Sequence, residues 1–198
     1  PHTLHLDQTL SAIEAGKAVL CEKPITVDPD QCERIIAAAA DASVYVMEAM
    51  WTWFLPAVQK AKQWVDEGLI GRLLQIRADF GYPIQPYAPD KREYDAALGG
   101  GALLDMGIYP IAITRLFIDE EPNRVQVVSR HAPNGVDDDV VMTFNYDDCV
   151  ASLATSFRCK LPNTACIVGT EGYIEIPHFW SARECRLIVM HDVVDTFD

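Results

Sequence analysis

The chain has 198 residues, of which 49% are hydrophobic and 23% are charged, and its formal net charge is −13. This composition is typical of a globular protein with enough apolar material for a core. The negative charge argues against nucleic acid and against an anionic membrane surface as partners, because both would repel the chain. No apolar run is expected to approach the length of a membrane span, since Asp41 interrupts the best candidate, IIAAAADASVYVM.

Cysteine and histidine spacing gives no sign of a metal site or of a disulfide framework. The six cysteines include no CxxC pair and no spacing that is common in zinc sites, and the five histidines form no short-range ligand set. Cys21, Cys149 and Cys166 fall in strand-like segments, so reduced thiols and a cytoplasmic location are favoured. No metal is therefore predicted.

The first 47 residues predict alternating helices and strands. Leu6, Leu10 and Ile13 recur at helical spacing. The predicted elements are, in chain order, a helix ended by Gly16, a strand buried on both faces at 18–21, a helix from Pro29 to Ala40 capped by Asp28, and a second buried strand in VYVMEAM. This order, with its short connections, is typical of a parallel α/β sheet.

After Glu48 the pattern changes to that of an α+β domain. A helix is predicted from Pro56 to Glu67, followed by LLQIRADF, where apolar and polar residues alternate as in a strand with one wet face. Further strands are predicted at 125–129, 140–146, 149–157, 165–168, 173–176 and 186–190, with NYDDC and GTEG as hairpin turns. We expect these strands to be mostly antiparallel and place the domain boundary near residue 47.

Lys23 is a first candidate for chemistry, because CEKP ends a predicted buried strand. Open α/β sheets bind ligands at the carboxyl ends of their strands, and Pro24 restricts the backbone of Lys23. A lysine held there could hydrogen-bond a substrate oxygen or stabilise a developing negative charge. On the tetrapeptide alone, a surface lysine in a turn is favoured over this role.

The stretch GGGALLDMGIYP, residues 99–110, is a second candidate. In a helix, Asp105 and Tyr109 are four residues apart and would share a face, with a kink expected at Pro110. The glycines allow close backbone approach and leave N–H groups at the helix start open, so a bound phosphate is conceivable. An acid/base pair and a capping aspartate beside a buried tyrosine are about equally supported here.

Two other stretches carry weaker signals. The aromatic residues of MEAMWTWF fit a pocket wall and ordinary packing equally well. VDDDV, with Asp137 to Asp139, has the composition of a ligand loop, but a solvated turn between strands is favoured.

Taken together, three stretches resemble the glucose–fructose oxidoreductase and inositol dehydrogenase family, also called Gfo/Idh/MocA. AGKAVLCEKP is similar to the last part of the family's dinucleotide-binding domain, GGGALLDMGIYPI to a helix of its substrate domain, and IVGTEGYIEIPHFW to a hairpin of that domain. Within the family, MEAMWTWFLPAV and the tyrosine after DMG resemble the dihydrodiol dehydrogenase and D-xylose dehydrogenase branch.

The resemblance implies a fold in two parts. Residues 1–47 would be the C-terminal end of a Rossmann-type α/β domain. Residues 48–198 would form an α+β domain for substrate binding and dimerisation, a mostly antiparallel open-faced sheet with helices on one side. The family's GxGxxG segment would precede Pro1, and the C-terminus would be incomplete. We therefore expect an internal piece of an enzyme, inactive by itself because the pyrophosphate site is missing.

The resemblance also implies roles for individual residues. The implied site consists of Lys23, Asp105 and Tyr109 for catalysis, His2, Glu22, Lys23 and Pro24 for the cofactor, and Trp51, Phe80 and Asp105 for the substrate. Tyr109 would exchange a proton with a substrate hydroxyl, helped by the Lys23 cation, which favours the phenolate. The bond between Lys23 and Pro24 would be cis.

The expected activity is hydride transfer between NAD or NADP, with NADP slightly favoured by the resemblance, and a secondary hydroxyl of a sugar, polyol or cyclic diol. The expected partners are that small molecule and a second copy of the chain, joined through the sheet domain. The alternative is a module of the same fold that senses a ligand or dimerises without catalysis.

Overall fold

The helix and strand order predicted for the N-terminal part is present. In the computed structural model, which describes residues 1–190 and 192–198, this part contains α1 (His5–Glu14), β1 (Val19–Cys21), α2 (Pro29–Ala42) and β2 (Val46–Glu48). The strands β1 and β2 pair in parallel. The predicted cap of α2 is confirmed, since Oδ1 of Asp28 accepts a hydrogen bond from the backbone N–H of Gln31 at 2.9 Å.

The prediction that β1 is buried on both faces is wrong for the described residues. Leu20 is 68% exposed, whereas Cys21 is buried. Both helices and the core residues Leu6, Ile13 and Ile35 pack on the face that carries Val19 and Val46. Successive side chains of a strand point to opposite faces, so Leu20 lies on the uncovered face.

The remaining strands form one sheet of eight strands, and this sheet is mostly antiparallel, as the resemblance implied. They are β3 (Leu73–Gly81), β4 (Arg124–His131), β5 (Asp137–Asn145), β6 (Val150–Ser156), β7 (Thr164–Gly169), β8 (Gly172–Pro177), β9 (Cys185–Val189) and β10 (Asp192–Phe197). Their order across the sheet is β10-β9-β8-β7-β3-β6-β5-β4. All neighbours are antiparallel except β3 and β6. The last strand, β10, is additional to those predicted.

Two helices cover one face of this sheet. They are α3 (Pro56–Asp66) and α4 (Ile108–Phe117), and their side chains form a single core with the inward residues of the strands. The alternation predicted for β3 is confirmed, because Ile76 and Ala78 are buried while Gln75 and Arg77 are exposed. The fold is therefore a Rossmann-type end followed by a mostly antiparallel sheet.

The expectation that no apolar run approaches the length of a membrane span is wrong. The segment Ala96–Phe117 is 22 residues long and has a mean hydropathy of 1.4, which by length and composition alone would allow it to cross a membrane. Its second half is α4, which packs against β3 and β6, with Ile113 and Thr114 fully buried. Part of its apolar surface is therefore buried in the core of the larger sheet.

Candidate active site

Lys23 lies two residues beyond the carboxyl end of β1 and points toward the second sheet. Its Nζ donates a hydrogen bond of 2.5 Å to the backbone carbonyl of Asp105 and lies 3.5 Å from Oδ1 of the same residue. The side chain is only 15% exposed. Burial lowers the pKa of Lys23, and the negative charge of Asp105 opposes this effect. The peptide bond between Lys23 and Pro24 is cis, as the resemblance implied.

The glycines before Asp105 allow side chains from other parts of the chain to lie directly against the backbone of this segment. Gly99 and Gly101 have φ values of +73° and +135°, in the region that favours glycine. A Cβ on Gly101 would collide with the carboxylate of Asp137, and one on Gly99 would press on Val27 and His2. The N-terminal part and the glycine segment are thus in direct contact.

A phosphate at the start of this helix, which the sequence made conceivable, is not supported. Oδ2 of Asp137 already accepts a hydrogen bond from the backbone N–H of Leu103 at 2.7 Å, so a carboxylate of the chain itself fills the anion position. The preference for a solvated turn in VDDDV is also wrong. Asp137 begins β5, and Asp138 is 5% exposed and accepts a hydrogen bond from Nε of Arg158 at 2.8 Å.

Asp105 does not lie in a regular α-helix. Residues Leu103–Gly107 form a π-helical turn that continues directly into α4. Pro110 offers no N–H, and in a regular α-helix its ring would clash with the carbonyl of residue 106. The irregularity that the structure shows in this stretch is the π-helical turn, which ends three residues before Pro110.

Tyr109 is the residue around which the site is built. It is 7% exposed, and its hydroxyl accepts a hydrogen bond from the indole N–H of Trp51 at 3.1 Å. The centre of its ring is 5.2 Å from that of Phe80 and 4.9 Å from Nζ of Lys23. The structure thus places Lys23 and Tyr109 next to each other beside Asp105, although they are 86 residues apart in the sequence (109 − 23).

Burial raises the pKa of Tyr109; the hydrogen bond from Trp51 lowers it, and the negative charges of Asp105 and Glu22 raise it further. This differs from the expectation that Lys23 would favour the phenolate. The amine of Lys23 is hydrogen-bonded to Asp105 and faces the ring of Tyr109. Tyr109 is therefore a protonated phenol at neutral pH, able to donate a proton.

An aromatic cluster extends from Tyr109 and is larger than the sequence indicated. Phe80 stacks on Trp180, with ring centres 4.6 Å apart and planes at 25°, and Tyr82 meets Trp180 edge-on. For MEAMWTWF both alternatives apply: Trp51 is 42% exposed beside Tyr109, whereas the indole of Trp53 donates to the carbonyl of Ala112 within the core. The signal for Trp180 was the aromatic pair that follows the hairpin in GTEGYIEIPHFW.

The residues that the resemblance assigned to the cofactor lie in two settings. Glu22 is exposed beside Lys23 at the edge of the parallel pair. His2 is 6% exposed, and its Nδ1 is 3.0 Å from the carbonyl of Gly99. Pro24 is buried, and its carbonyl lies 2.8 Å from Nδ1 of His5. His2 therefore connects the N-terminal part to the glycine segment, whereas the Pro24 contact with His5 lies within the N-terminal part. Lys23 contacts Asp105, and Glu22 is exposed.

Arg92 is a member of the site that no sequence signal indicated. One guanidinium nitrogen is 3.3 Å from Oδ1 of Asp105 and the other is 3.5 Å from Nε2 of His2. In the part of the chain that the structure describes, no group of three or more histidine, cysteine or acidic side chains is placed to hold a metal. All six cysteines are free thiols, as expected.

The fold and this site can be compared with known proteins. Residues 58–175 match the family model described as the GFO/IDH/MocA C-terminal domain. Residues 1–50 match the model of an oxidoreductase family with an NAD-binding Rossmann fold. The chain belongs to the GFO/IDH/MocA family. The resemblance stated from the sequence is thus confirmed.

Among curated proteins, the chain is 36% identical over 185 residues to trans-1,2-dihydrobenzene-1,2-diol dehydrogenase of Mus musculus, a match that covers 92% of this chain and 55% of the relative. The chain therefore spans about half the length of the curated relatives it matches.

Two solved structures are similar in fold and in sequence. Aldose-aldose oxidoreductase from Caulobacter crescentus, complexed with glycerol, is 27% identical with a TM-score of 0.89 over 97% of this chain and 59% of its own. A levoglucosan dehydrogenase, in complex with NADH and levoglucosan, is 27% identical with a TM-score of 0.86 over 98% of this chain and 56% of its own. By name, these two proteins are an oxidoreductase of aldoses and a dehydrogenase of levoglucosan, and the curated relative is a dehydrogenase of a dihydrodiol.

Proposed function

We propose that the protein is an NAD(P)-dependent oxidoreductase that transfers a hydride between nicotinamide and a secondary hydroxyl of a sugar, polyol or cyclic diol. The observation that carries this proposal is the meeting of Lys23, Asp105 and Tyr109, which supply a cation, a carboxylate and a proton-donating phenol within one small space. The names of the relatives, which refer to a dihydrodiol, aldoses and levoglucosan, support the same substrate class.

Glu22 and Lys23, at the edge of the parallel strand pair, have the hydrogen-bonding groups to bind the nicotinamide and ribose part of a dinucleotide. The exposed carboxylate of Glu22 accepts hydrogen bonds and the amine of Lys23 donates them, as ribose hydroxyls and a carboxamide require. His2 and Pro24 would support this edge through Gly99 and His5. When bound, the nicotinamide supplies or accepts the hydride. Both NAD and NADP are compatible with the proposal, and NADP is slightly favoured by the resemblance.

Tyr109 would carry the proton. In the direction of reduction, its hydroxyl proton moves to the substrate carbonyl oxygen while the hydride joins the carbonyl carbon. In the direction of oxidation, the substrate hydroxyl returns its proton to the phenolate oxygen as the hydride leaves the carbon. Because its pKa is raised by burial, Tyr109 is protonated and ready for the reductive direction at neutral pH.

Lys23 and Asp105 would orient the substrate. Lys23, Arg92 and His2 all approach Oδ1 of Asp105, so Oδ2 is the oxygen that would accept a hydrogen bond from a neighbouring substrate hydroxyl. Trp51 and Phe80 flank Tyr109, and the apolar face of a sugar or diol ring can pack on such aromatic side chains.

A cytoplasmic homodimer completes the proposal. The open face of the eight-stranded sheet would join two copies, and it presents exposed apolar side chains on adjacent strands. Val128 of β4 lies opposite Val141 of β5, and they are 73% and 50% exposed. Exposed apolar patches of this kind often mark an interface between copies, and size-exclusion chromatography of the full-length protein would measure the oligomeric state.

The substitution Tyr109→Phe in the full-length protein tests the catalytic role. We expect a loss of about 10²- to 10⁴-fold in turnover, the usual contribution of general acid/base catalysis, with unchanged thermal stability. The assay follows NADH and NADPH absorbance with a panel of trans-dihydrodiol, levoglucosan, aldoses and polyols. Tyr45→Phe, which alters an exposed tyrosine, is the matched control.

Undiminished turnover in Tyr109→Phe would remove the proposed acid/base residue. A wild-type protein that turns over no member of the panel with either cofactor would favour the non-catalytic alternative, a ligand-sensing or dimerisation module of the same fold.

A further inference from the structure

The carboxylate of Asp105 is surrounded by basic side chains from three separate parts of the chain. Its Oδ1 lies 3.3 Å from the guanidinium of Arg92, 3.5 Å from Nζ of Lys23 and 4.0 Å from Nε2 of His2. The side chains of Asp105 and Lys23 are 14% and 15% exposed, whereas Arg92 is 41% exposed at the rim. One carboxylate oxygen, on a mostly buried side chain, thus lies beside the basic groups of both Lys23 and Arg92.

Because Lys23 and Arg92 both contact Oδ1 of Asp105, the interaction of Lys23 with this carboxylate depends on Arg92. Nζ of Lys23 is held by both the carbonyl and the carboxylate of Asp105, and the same amine lies 4.9 Å from the ring centre of Tyr109. Electrostatic attraction between Lys23 and Asp105 is strong in this poorly solvated setting. A second cation on Oδ1 offsets part of the carboxylate charge and weakens the hold of Asp105 on Lys23.

The backbone places Arg92 at this point by means of a buried anchor. Arg92 begins a short 3₁₀ turn, Arg92–Tyr94, and Tyr94 is fully buried with its hydroxyl bonded to the carbonyl of Ile84 at 3.2 Å. The carbonyl of Glu93 also accepts the backbone N–H of Gly101 at 2.9 Å. The turn that carries Arg92 is therefore bonded directly to the segment that carries Asp105.

We propose that Arg92 is a positioning residue that holds the Asp105 carboxylate and thereby limits how tightly Asp105 binds Lys23. This inference rests on the proposed function, in which Lys23 must remain available to Tyr109 and to the substrate oxygen. The charged and titratable groups that face this pair are His2, Glu22 and Tyr109, together with Glu93, which lies 3.5 Å from the guanidinium of Arg92.

The first measurement is independent of activity. In the full-length protein, lysines are labelled by reductive ¹³C-methylation, the Lys23 resonance is identified by its loss in Lys23→Arg, and its pH titration is followed by NMR. Arg92→Gln should raise the pKa of Lys23, because a neighbouring cation is lost and Asp105 is freed to pair with Lys23 alone. Arg92→Lys should restore most of the wild-type titration. Arg72→Gln, which removes an exposed pair with Asp148, is the control and should change nothing.

The second measurement is kinetic. Arg92→Gln should lower kcat about tenfold, equivalent to about 1.4 kcal/mol, with a smaller change in KM and a shift of the pH profile to higher pH. If Arg92 acts through Asp105, the same substitution made in an Asp105→Asn background should have little further effect.

An unchanged Lys23 titration in Arg92→Gln, or an equal loss of kcat in both backgrounds, would overturn the inference. Failure of the proposed function is distinguishable, because an inactive wild-type protein still reports the effect of Arg92 on the Lys23 titration.

Discussion

The two sheets of this molecule differ in how much of their own surface they bury. The eight-stranded sheet and its helices enclose one large core with fully buried Trp64 and Phe179. In the parallel pair and its helices the core cluster has three buried residues, Leu6, Ile13 and Ile35. Leu20, Ile36 and Tyr45 of the same region are 68%, 62% and 67% exposed. Because buried apolar area is the main favourable contribution to folding, most of the stability of the described chain lies in the larger sheet.

This difference matters for the site, because the site joins the two regions. Lys23 comes from the weakly buried pair, whereas Asp105 and Tyr109 come from the segment packed on the large sheet. The contacts that connect them include Lys23 with Asp105 and His2 with Gly99. Regions with few buried contacts open more readily than well-packed ones. In a chain of these 198 residues we therefore expect the position of Lys23 to depend on its contact with Asp105 and on the contact of His2 with Gly99.

The largest change in stability is expected from cavities made in the core of the larger sheet or in the core of the N-terminal part. Ile167→Ala in β7 should lower the free energy of unfolding of the whole chain by about 2–5 kcal/mol, the usual cost of such a truncation in a core. Ile35→Ala in α2 should instead release the N-terminal part and leave the large sheet folded. Hydrogen exchange measured by mass spectrometry checks this: equal loss of protection in both regions after Ile35→Ala would show that they unfold as one unit.

A smaller effect is expected from the carboxylate that caps the Asp105 segment. Asp137→Ala removes the acceptor of the Leu103 N–H and should cost about 0.5–2 kcal/mol, the range for lost helix caps. It should also reduce turnover in the full-length protein, because Asp105 follows two residues later. Asp139→Asn, on the same strand, is the control. A Tm of Asp137→Ala equal to that of Asp139→Asn would contradict the capping role.

The smallest effect on stability is expected from the ionisation of buried cysteine thiols. Burial raises the pKa of Cys185 in the large sheet to about 11, and burial also raises the pKa of Cys21 in β1. A raised pKa means that the unfolded chain loses its proton first. The contribution of Cys185 to stability is therefore complete below its usual pKa of 9.0 and is lost as the pH rises from there to about 11.

Two experiments check the behaviour of these thiols. Cys185→Ala should flatten the fall of Tm with pH in that range, and an identical slope in the variant and the wild type would contradict the shift. Labelling with a thiol reagent at mildly alkaline pH should modify exposed Cys159 first, then Cys21 through local opening, and Cys185 last. Equal rates for Cys21 and Cys185 would remove the difference in stability between the two regions.

Local chemistry in the sequence determined much of the fold. Asp28 and Pro29 mark the start of α2, Pro56 marks that of α3, and the alternation in LLQIRADF identifies β3 and its buried face. These signals depend on neighbours a few residues away, so they can be read without knowing the tertiary structure. The motif order from CEKP to GTEGYIEIP likewise sufficed to identify the family and to select Lys23, Asp105 and Tyr109 as a set.

Only the tertiary structure decided what surrounds those residues. Asp137 takes the position at the start of the helix because β5 passes beside Gly101, 36 residues earlier in the chain (137 − 101). Lys23 faces Asp105, and Arg92 shares the same carboxylate oxygen, because a buried tyrosine fixes the turn that carries it. Burial, and with it the raised pKa of Tyr109, depends on side chains brought together from distant positions, and no local pattern records that approach.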